Sequence, residues 1–262
     1  MRSPAGLHVA ERPAATPGGP AVVLVHGSLD RGESFRRVMR RLPEATVVAY
    51  DRRGYHLSRP AGVTDIAGHI GDLLDVVAAL RAAGAGPVAA VGHSVGGDVV
   101  LGAALAEPRA LPSVGAFEPP MPWLGFRRRQ GADGAGSPWT PMDEDPGAEA
   151  ERFFTRMVGP GAWNRLSEQG RAERRADGPA LVADLLSVRG EAPFDVMDLS
   201  VPVVFGMGGA ASQPHHRNGV TWLGSHVPGA SIYEIPGAGH GAHLSHPDGF
   251  ATYVRTVLAA LP

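Results

Sequence analysis

Residues 91–97 read Val91-Gly92-His93-Ser94-Val95-Gly96-Gly97, and they lie between two segments of different character. The apolar run Pro87–Val91 is typical of a buried strand, and Asp98–Ala106 has the composition of a helix. A Gly-x-Ser-x-Gly pattern at a strand-to-helix turn indicates a nucleophile elbow, which lifts a serine oxygen above the edge of a sheet. A glycine-rich turn with an idle serine has the same local pattern. The partners that the rest of the chain offers to Ser94 therefore decide between the two interpretations.

Short apolar runs alternate with amphipathic segments along most of the chain. Strands are predicted at Gly6–Glu11, Ala21–Val25, Thr46–Tyr50, Pro87–Val91, Ser113–Phe117, Val201–Phe205 and Ser231–Ile235. Helices are predicted at Glu33–Leu42, Asp65–Ala83, Asp98–Ala106 and Asp248–Leu261. This alternation predicts the α/β class, with a mostly parallel sheet flanked by helices and right-handed crossovers.

The alternation stops between Pro119 and Leu199. A basic, glycine-rich run covers Arg127–Ser137, and helices are predicted near Ala148–Val158, Gly161–Ala176 and Pro179–Arg189. We therefore expect residues 119–199 to form a helical cap, inserted into a core made of residues 1–118 and 200–262. Binding pockets are mostly lined by apolar side chains. Trp123, Phe154 and Met157 are the expected substrate-binding residues of the cap, and Met121, Leu124, Phe153 and Val158 are their apolar neighbours.

Composition narrows the class of protein and its partners. The 262 residues suit one mid-sized domain with an insertion, and the net charge of −2 favours neither nucleic acid nor an anionic membrane as a partner. The absence of cysteine excludes disulfides, a thiolate nucleophile and cysteine-ligated metals. No apolar run approaches the ~18 residues of a membrane span. We expect a cytoplasmic protein with a small-molecule partner, and a monomer and a homodimer both remain open.

A serine nucleophile needs a base to accept its proton. Of the 11 histidines, His240 is the best placed, because it follows the last predicted strand and precedes the last helix. His243 is the alternative base. The remaining histidines suit core, surface or capping positions.

Attack by the serine also creates an oxyanion, which needs backbone N–H donors already aimed at it. The N–H of Val95, directly after Ser94, is one expected donor. The turn His26-Gly27-Ser28 follows the first core strand, and it offers the N–H of Ser28 or of Leu29 as the second.

Together these stretches resemble the α/β-hydrolase fold family over nearly the whole chain. His26-Gly27, Asp51-Arg52-Arg53-Gly54, the elbow around Ser94, and Gly239-His240 occur in the order and spacing of that family. The resemblance is closest to small bacterial serine esterases and the cofactor-free haloperoxidase-like branch. It implies that Ser94 is the nucleophile and His240 the general base, beneath a helical cap and without a cofactor.

The third member of the triad departs from the family pattern. Its usual position is in the loop after Val201–Phe205, yet Gly206–Gln213 contains no carboxylate, and Gly209 stands at the aligned position. Some family members place the acid after the preceding strand, where this chain has Glu118. A buried carboxylate is costly unless it is paired, and an imidazole partner would meet that need. We expect a Glu118 oxygen about 2.6–3.2 Å from His240 Nδ1, with an ion pair to Arg127–Arg129 as the alternative.

The resulting hypothesis is a serine hydrolase that acts by acyl transfer on a small ester, lactone or thioester, through Ser94, His240 and Glu118. Epoxide hydrolases and haloalkane dehalogenases are disfavoured, because family members of those kinds carry a carboxylate at the elbow. Two other classes stay open on the same scaffold. One is a cofactor-free lyase or perhydrolase, and the other is a small-molecule binding protein without turnover.

Overall fold

The computed structural model describes residues 6–16, 18–124, 145–189 and 191–262. A seven-stranded sheet, counted over these residues, runs through the molecule in the order β1-β3-β2-β4-β5-β6-β7. Only β1 pairs antiparallel, along β3, and the other pairings are parallel. The strands are β1 (Val9–Arg12), β2 (Ala21–Val25), β3 (Thr46–Tyr50), β4 (Val88–His93), β5 (Val114–Phe117), β6 (Val203–Gly208) and β7 (Ala230–Ile235). The expected α/β class is confirmed.

Helices connect these strands. The described α-helices are α1 (Arg36–Met39), α2 (Ile66–Ala82), α3 (Val95–Ala106), α4 (Pro146–Val158), α5 (Pro160–Arg165), α6 (Glu168–Ala176), α7 (Gly178–Ser187), α8 (Pro214–His226), α9 (Ala242–Ser245) and α10 (Pro247–Leu258). None of them combines the length and the apolar character needed to cross a membrane.

Two helix predictions need correction, and one helix was missed. Glu33–Leu42 is not one helix, because a 3₁₀ turn at Gly32–Phe35 precedes the four-residue α1. Gly161–Ala176 is two helices, because Leu166 is extended and the Ser167 side chain accepts a hydrogen bond from the Gly170 N–H to begin α6. Helix α8 was missed, because it is largely polar and buries only a few residues.

Two apolar layers cover the faces of the sheet. Strands β2, β4, β5 and β6 are wholly buried, which agrees with their continuous apolar runs. Helices α2, α3 and α8 pack on one face, and α1 and α10 pack on the other. The carboxyl ends of the parallel strands therefore meet at one edge, where the loops that carry the candidate site residues begin.

The described part of the insertion between β5 and β6 is helical. Helix α4 contacts α5, α6 and α7. A small apolar cluster of Ala150, Phe153, Leu181 and Leu185 packs against Leu29, which lies in the loop after β2. We call residues 145–189 the cap. Residues 125–144, with the basic run Arg127–Ser137 and the alternative ion-pair partners of Glu118, lie outside the described residues.

Candidate active site

Ser94 lies at the turn between β4 and α3 in a strained conformation. Its φ of 53° and ψ of −129° are values that a residue with a side chain rarely adopts. The turn is tight because a Cβ on Gly92 would collide with the Gly96 carbonyl oxygen. A Cβ on Gly96 would collide with the carbonyl oxygens of Val25 and His26 on the neighbouring strand. The glycines thus let the backbone approach closely while Ser94 projects from the turn.

A histidine and a carboxylate meet beside this turn. His240 Nδ1 lies 2.7 Å from Glu118 Oε2, within the separation expected from the sequence. Because a carboxylate only accepts hydrogen bonds, Nδ1 carries a proton. His240 is also tied to the elbow, since its carbonyl oxygen lies 2.8 Å from His93 Nε2.

Glu118 is fully buried at the end of β5, and its second oxygen is also occupied. Oε1 accepts hydrogen bonds from the Gly208 N–H at 2.8 Å and from Ser212 Oγ. Burial alone would raise the pKa of Glu118, but the hydrogen bond from His240 and those from Ser212 and Gly208 lower it below its ordinary value. The carboxylate is therefore ionised at neutral pH.

The loop after β6 has no room for a side chain at the usual acid position. A Cβ on Gly209 would lie 2.8 Å from the backbone nitrogen of Gly237. Instead the loop supplies the Ser212 hydroxyl and the Gly208 N–H to Glu118. Sequence reasoning missed Ser212, and the absence of a carboxylate between Gly206 and Gln213 was the signal that pointed to this loop.

The two expected oxyanion donors belong to the elbow and to the turn that packs against it. Val95 is the first residue of α3, so its N–H has no acceptor within the helix. A Cβ on Gly27 would lie 3.0 Å from Ser94 Cβ, which shows that the turn before Ser28 rests against the serine. The Ser28 hydroxyl donates a hydrogen bond to Asp184 of the cap, a partner that the sequence did not reveal.

Two further histidines lie near this centre. The His216 ring stacks on His240 with centroids 4.3 Å apart, and its Nδ1 is 4.0 Å from Glu118 Oε2. His216 was missed because it lies in α8, which the sequence pattern did not predict. His243, the alternative base, lies 3.1 Å from Asp30 Oδ2 instead of reaching Glu118.

These side chains also form the sets that could hold a metal ion in the described part of the chain. Glu118, His216 and His240 make one such set, and Asp30, His93 and His243 make the other. Within each set one ligand atom per residue lies within 4.8 Å of the others. In both sets a histidine already hydrogen-bonds the carboxylate.

The expected substrate-binding residues fall in three different settings. Trp123 packs against the main core and meets the Phe194 ring edge-on at 5.4 Å. Phe154 packs against the apolar cluster of the cap and lies 5.5 Å from the Trp163 ring. Met157, in α4, is 42% exposed.

Comparison with known proteins identifies a matching family and two curated relatives. A model described as "Alpha/beta hydrolase family" matches residues 22–253. Lipase LipV from Mycobacterium tuberculosis is 35% identical over 118 residues, which cover 45% of this chain and 44% of the lipase. Polyketide synthase ThaQ from Burkholderia thailandensis is 29% identical over 261 residues, which cover 92% of this chain and 12% of the synthase. The chain therefore spans less than half the length of these curated relatives.

Solved structures share the fold at low sequence identity. An esterase from Thermogutta terrifontis matches with a TM-score of 0.67 at 20% identity, covering 97% of this chain and 93% of the esterase. An enol-lactonase from Burkholderia xenovorans matches with a TM-score of 0.66 at 19% identity, covering 97% and 96% of the two chains. At this level of sequence identity, the similarity supports a shared fold alone.

Proposed function

The chain belongs to the alpha/beta hydrolase family, and we propose that it is a serine hydrolase acting by acyl transfer on a small ester-like substrate. The observation that carries the proposal is the hydrogen bond between His240 Nδ1 and Glu118 Oε2 at 2.7 Å. It leaves Nε2 of His240 as a proton acceptor in a fold whose elbow carries Ser94.

In this mechanism Ser94 is the nucleophile and His240 transfers the protons. His240 Nε2 takes the proton of Ser94 Oγ as that oxygen bonds to the carbonyl carbon of the substrate. The N–H groups of Val95 and Ser28 stabilise the resulting oxyanion. Collapse of the intermediate breaks the bond to the leaving group, which takes the proton from His240. Water, deprotonated by His240, then attacks the acyl carbon. The bond from that carbon to Ser94 Oγ breaks, Oγ takes the proton back from His240, and the acid product leaves.

Glu118 acts through His240 in both halves of the reaction. Its negative charge stabilises the imidazolium that forms each time His240 accepts a proton. Its hydrogen bond also keeps the proton of the resting imidazole on Nδ1, so that Nε2 is the nitrogen free to accept the proton of Ser94. The mechanism needs no cofactor.

The substrate class is a small ester, lactone or thioester. All three present a carbonyl carbon with an oxygen or sulfur leaving group, and the same steps cleave each of them. The relatives named as a lipase, an esterase and an enol-lactonase are consistent with this class. Trp123 and Phe154 are the proposed apolar contacts of the acyl or leaving group.

A covalent probe tests the nucleophile directly. A fluorophosphonate should label the protein at one site, and Ser94→Ala should abolish both this labelling and the hydrolysis of p-nitrophenyl esters. Stopped-flow measurement should show a burst of nitrophenol, because acylation releases it before the acyl-enzyme is hydrolysed. Labelling that survives Ser94→Ala would remove Ser94 from the mechanism. Turnover without acylation would favour a lyase or perhydrolase. The absence of both turnover and acylation would favour a small-molecule binding role.

A further inference from the structure

Asp184, in helix α7 of the cap, is enclosed by residues of the core. It is 1% exposed, and both of its oxygens accept hydrogen bonds from the loops after β2 and β3. Oδ1 accepts from Arg52 Nη1 at 3.0 Å. Oδ2 accepts from Arg52 Nη2 at 2.6 Å, Tyr55 Oη at 2.6 Å and Ser28 Oγ at 2.7 Å. A cap carboxylate thus holds the loop that carries an expected oxyanion donor.

Arg52 makes this arrangement dependent on the cap. The guanidinium is fully buried, and the described structure neutralises it through the two-pronged pair with Asp184. Burial would raise the pKa of Asp184, but the charge of Arg52 holds it well below its usual range. Removing one partner of such a pair leaves an uncompensated buried charge. Docking of the cap and orientation of Arg52 are therefore coupled.

Arg52 in turn fixes His26. The backbone N–H of Arg52 donates to His26 Nε2 at 2.8 Å, and Arg52 Nε donates to the His26 carbonyl oxygen at 3.0 Å. Because Nε2 accepts a hydrogen bond, the proton of the neutral ring is on Nδ1. Burial and the nearby Arg52 charge lower the pKa of His26 to about 4, which keeps the ring neutral. Nδ1 then donates to the Gly27 carbonyl oxygen at 2.7 Å.

The hydrogen bond to Gly27 determines where the Ser28 N–H points. A trans peptide is planar, so the Gly27 carbonyl and the Ser28 N–H point in opposite directions. A carbonyl held by His26 prevents the peptide from flipping. Asp184 also holds Ser28, by accepting a hydrogen bond from its hydroxyl. The turn rests against Ser94, as the 3.0 Å approach of a Gly27 Cβ to Ser94 Cβ shows.

We propose that Asp184 is a positioning residue for the oxyanion hole. Asp184 orients the Ser28 N–H directly through the Ser28 hydroxyl and indirectly through Arg52 and His26. The inference rests on the proposed function. It gives the cap a part in catalysis beyond covering the substrate, because a displaced cap would release the donor as well as open the site.

Two substitutions test the proposal against a matched control. Ser28→Ala removes the hydroxyl that Asp184 accepts but keeps the backbone N–H, and Asp184→Asn removes the charge that pairs with Arg52. Asp177→Asn is the control, because Asp177 is also a buried cap carboxylate that accepts core donors. Its donors are the His56 N–H and Arg59 Nη1, which lie outside the turn at residues 26–28.

The readouts are kcat, KM and the Ki of a trifluoromethyl ketone, whose adduct with Ser94 carries an oxyanion. Loss of a whole oxyanion donor costs roughly 10²–10³ in kcat, and we expect about 10- to 100-fold from a misaligned one. Ser28→Ala and Asp184→Asn should lower kcat and raise Ki by similar factors while KM changes little. Asp177→Asn should leave kcat and Ki near those of the wild type.

The outcomes distinguish a failure of this inference from a failure of the proposed function. If the wild type hydrolyses esters through Ser94, yet Ser28→Ala leaves kcat and Ki unchanged, the positioning role is overturned and the hydrolase stands. The same holds if Asp177→Asn lowers kcat as much as Ser28→Ala does. If Asp184→Asn fails to fold, Ser28→Ala decides the question, since it removes a single hydroxyl. A wild type that neither turns over esters nor reacts with the fluorophosphonate overturns both proposals.

Discussion

Glu118 carries an ionised carboxylate with no exposure to solvent, and both of its oxygens accept hydrogen bonds. Oε2 faces His240, and Oε1 receives the Gly208 N–H and the Ser212 hydroxyl. A buried charge is tolerated when hydrogen bonds replace its lost hydration. The chain reaches this arrangement from β5 instead of β6, so a glycine at position 209 is compatible with a carboxylate beside His240.

Glu118→Gln tests the proposed role of this carboxylate. Glutamine keeps the volume and can still accept from Gly208, but its amide would face His240 Nδ1 and place the imidazole proton on Nε2. That tautomer cannot accept the proton of Ser94, so kcat should fall by roughly 10³–10⁴-fold, as in other triads that lose the acid. Steady-state kinetics and a thermal melt would measure the loss of activity and the retention of the fold.

Ser212→Ala is the matched control for that substitution. It removes a donor from Oε1 and leaves the hydrogen bond to His240 in place, so its loss of kcat should be much the smaller of the two. Near-full activity of Glu118→Gln would mean that Ser94 and His240 work as a dyad or that another carboxylate orients the base.

The elbow is an element whose geometry depends on glycine. Close approach of β2 to the start of α3 leaves no space for a side chain at Gly96, which faces the carbonyl oxygens of Val25 and His26. Insertion of a methyl group at such a point forces the backbone to shift. The shift would displace the turn at Ser94 and the Val95 N–H together.

Gly96→Ala should therefore lower both the free energy of unfolding and kcat, with a stability loss of about 1–3 kcal/mol or more. Gly71→Ala is the matched control, because Gly71 is exposed within α2 and a Cβ there meets nothing within 4 Å. Alanine at that position should stabilise the helix by about 0.5–1 kcal/mol without changing kcat. Urea denaturation would measure the free energy of unfolding of both variants. Equal stability of Gly96→Ala and the wild type would contradict the close packing described for the elbow.

The stability of the whole molecule depends on buried groups that titrate in opposite senses. Asp98 in α3 is fully buried. Burial raises the pKa of Asp98 well above its ordinary value. His26 is the opposite case, since burial lowers its pKa to about 4. Asp98 thus destabilises the fold when pH rises, and His26 destabilises it when pH falls.

Asp98→Asn isolates the first of these effects. The folded-state pKa of Asp98 lies above the unfolded value, so its favourable contribution is complete below the unfolded pKa and is lost as pH rises through the folded pKa. Asparagine does not ionise. The variant should therefore gain stability relative to the wild type as pH rises above about 4, while His26 affects both proteins equally. Urea denaturation at several pH values would measure this difference, and a difference independent of pH would contradict the raised pKa.

Local patterns in the chain were sufficient for the architecture. Continuous apolar runs identified the buried strands, a Gly-x-Ser-x-Gly turn identified the elbow, and a long stretch without strands identified the helical insertion. Glu118 was singled out because the loop after β6 lacks a carboxylate and because the resemblance to α/β-hydrolases allows the acid to follow the preceding strand. The strand and elbow signals each lie within a few residues of chain, where side-chain periodicity and glycine content are direct consequences of backbone geometry.

The contacts that complete the site join distant parts of the chain, and only the tertiary structure revealed them. Ser212 meets Glu118 across 94 residues, and Asp184 meets Ser28 across 156. No local pattern marks such pairs, because they arise where loops from separate strands converge on one edge of the sheet. Helix α8, and with it His216, was missed for a related reason: a short polar helix gains its stability from packing on the sheet, which its own sequence does not display.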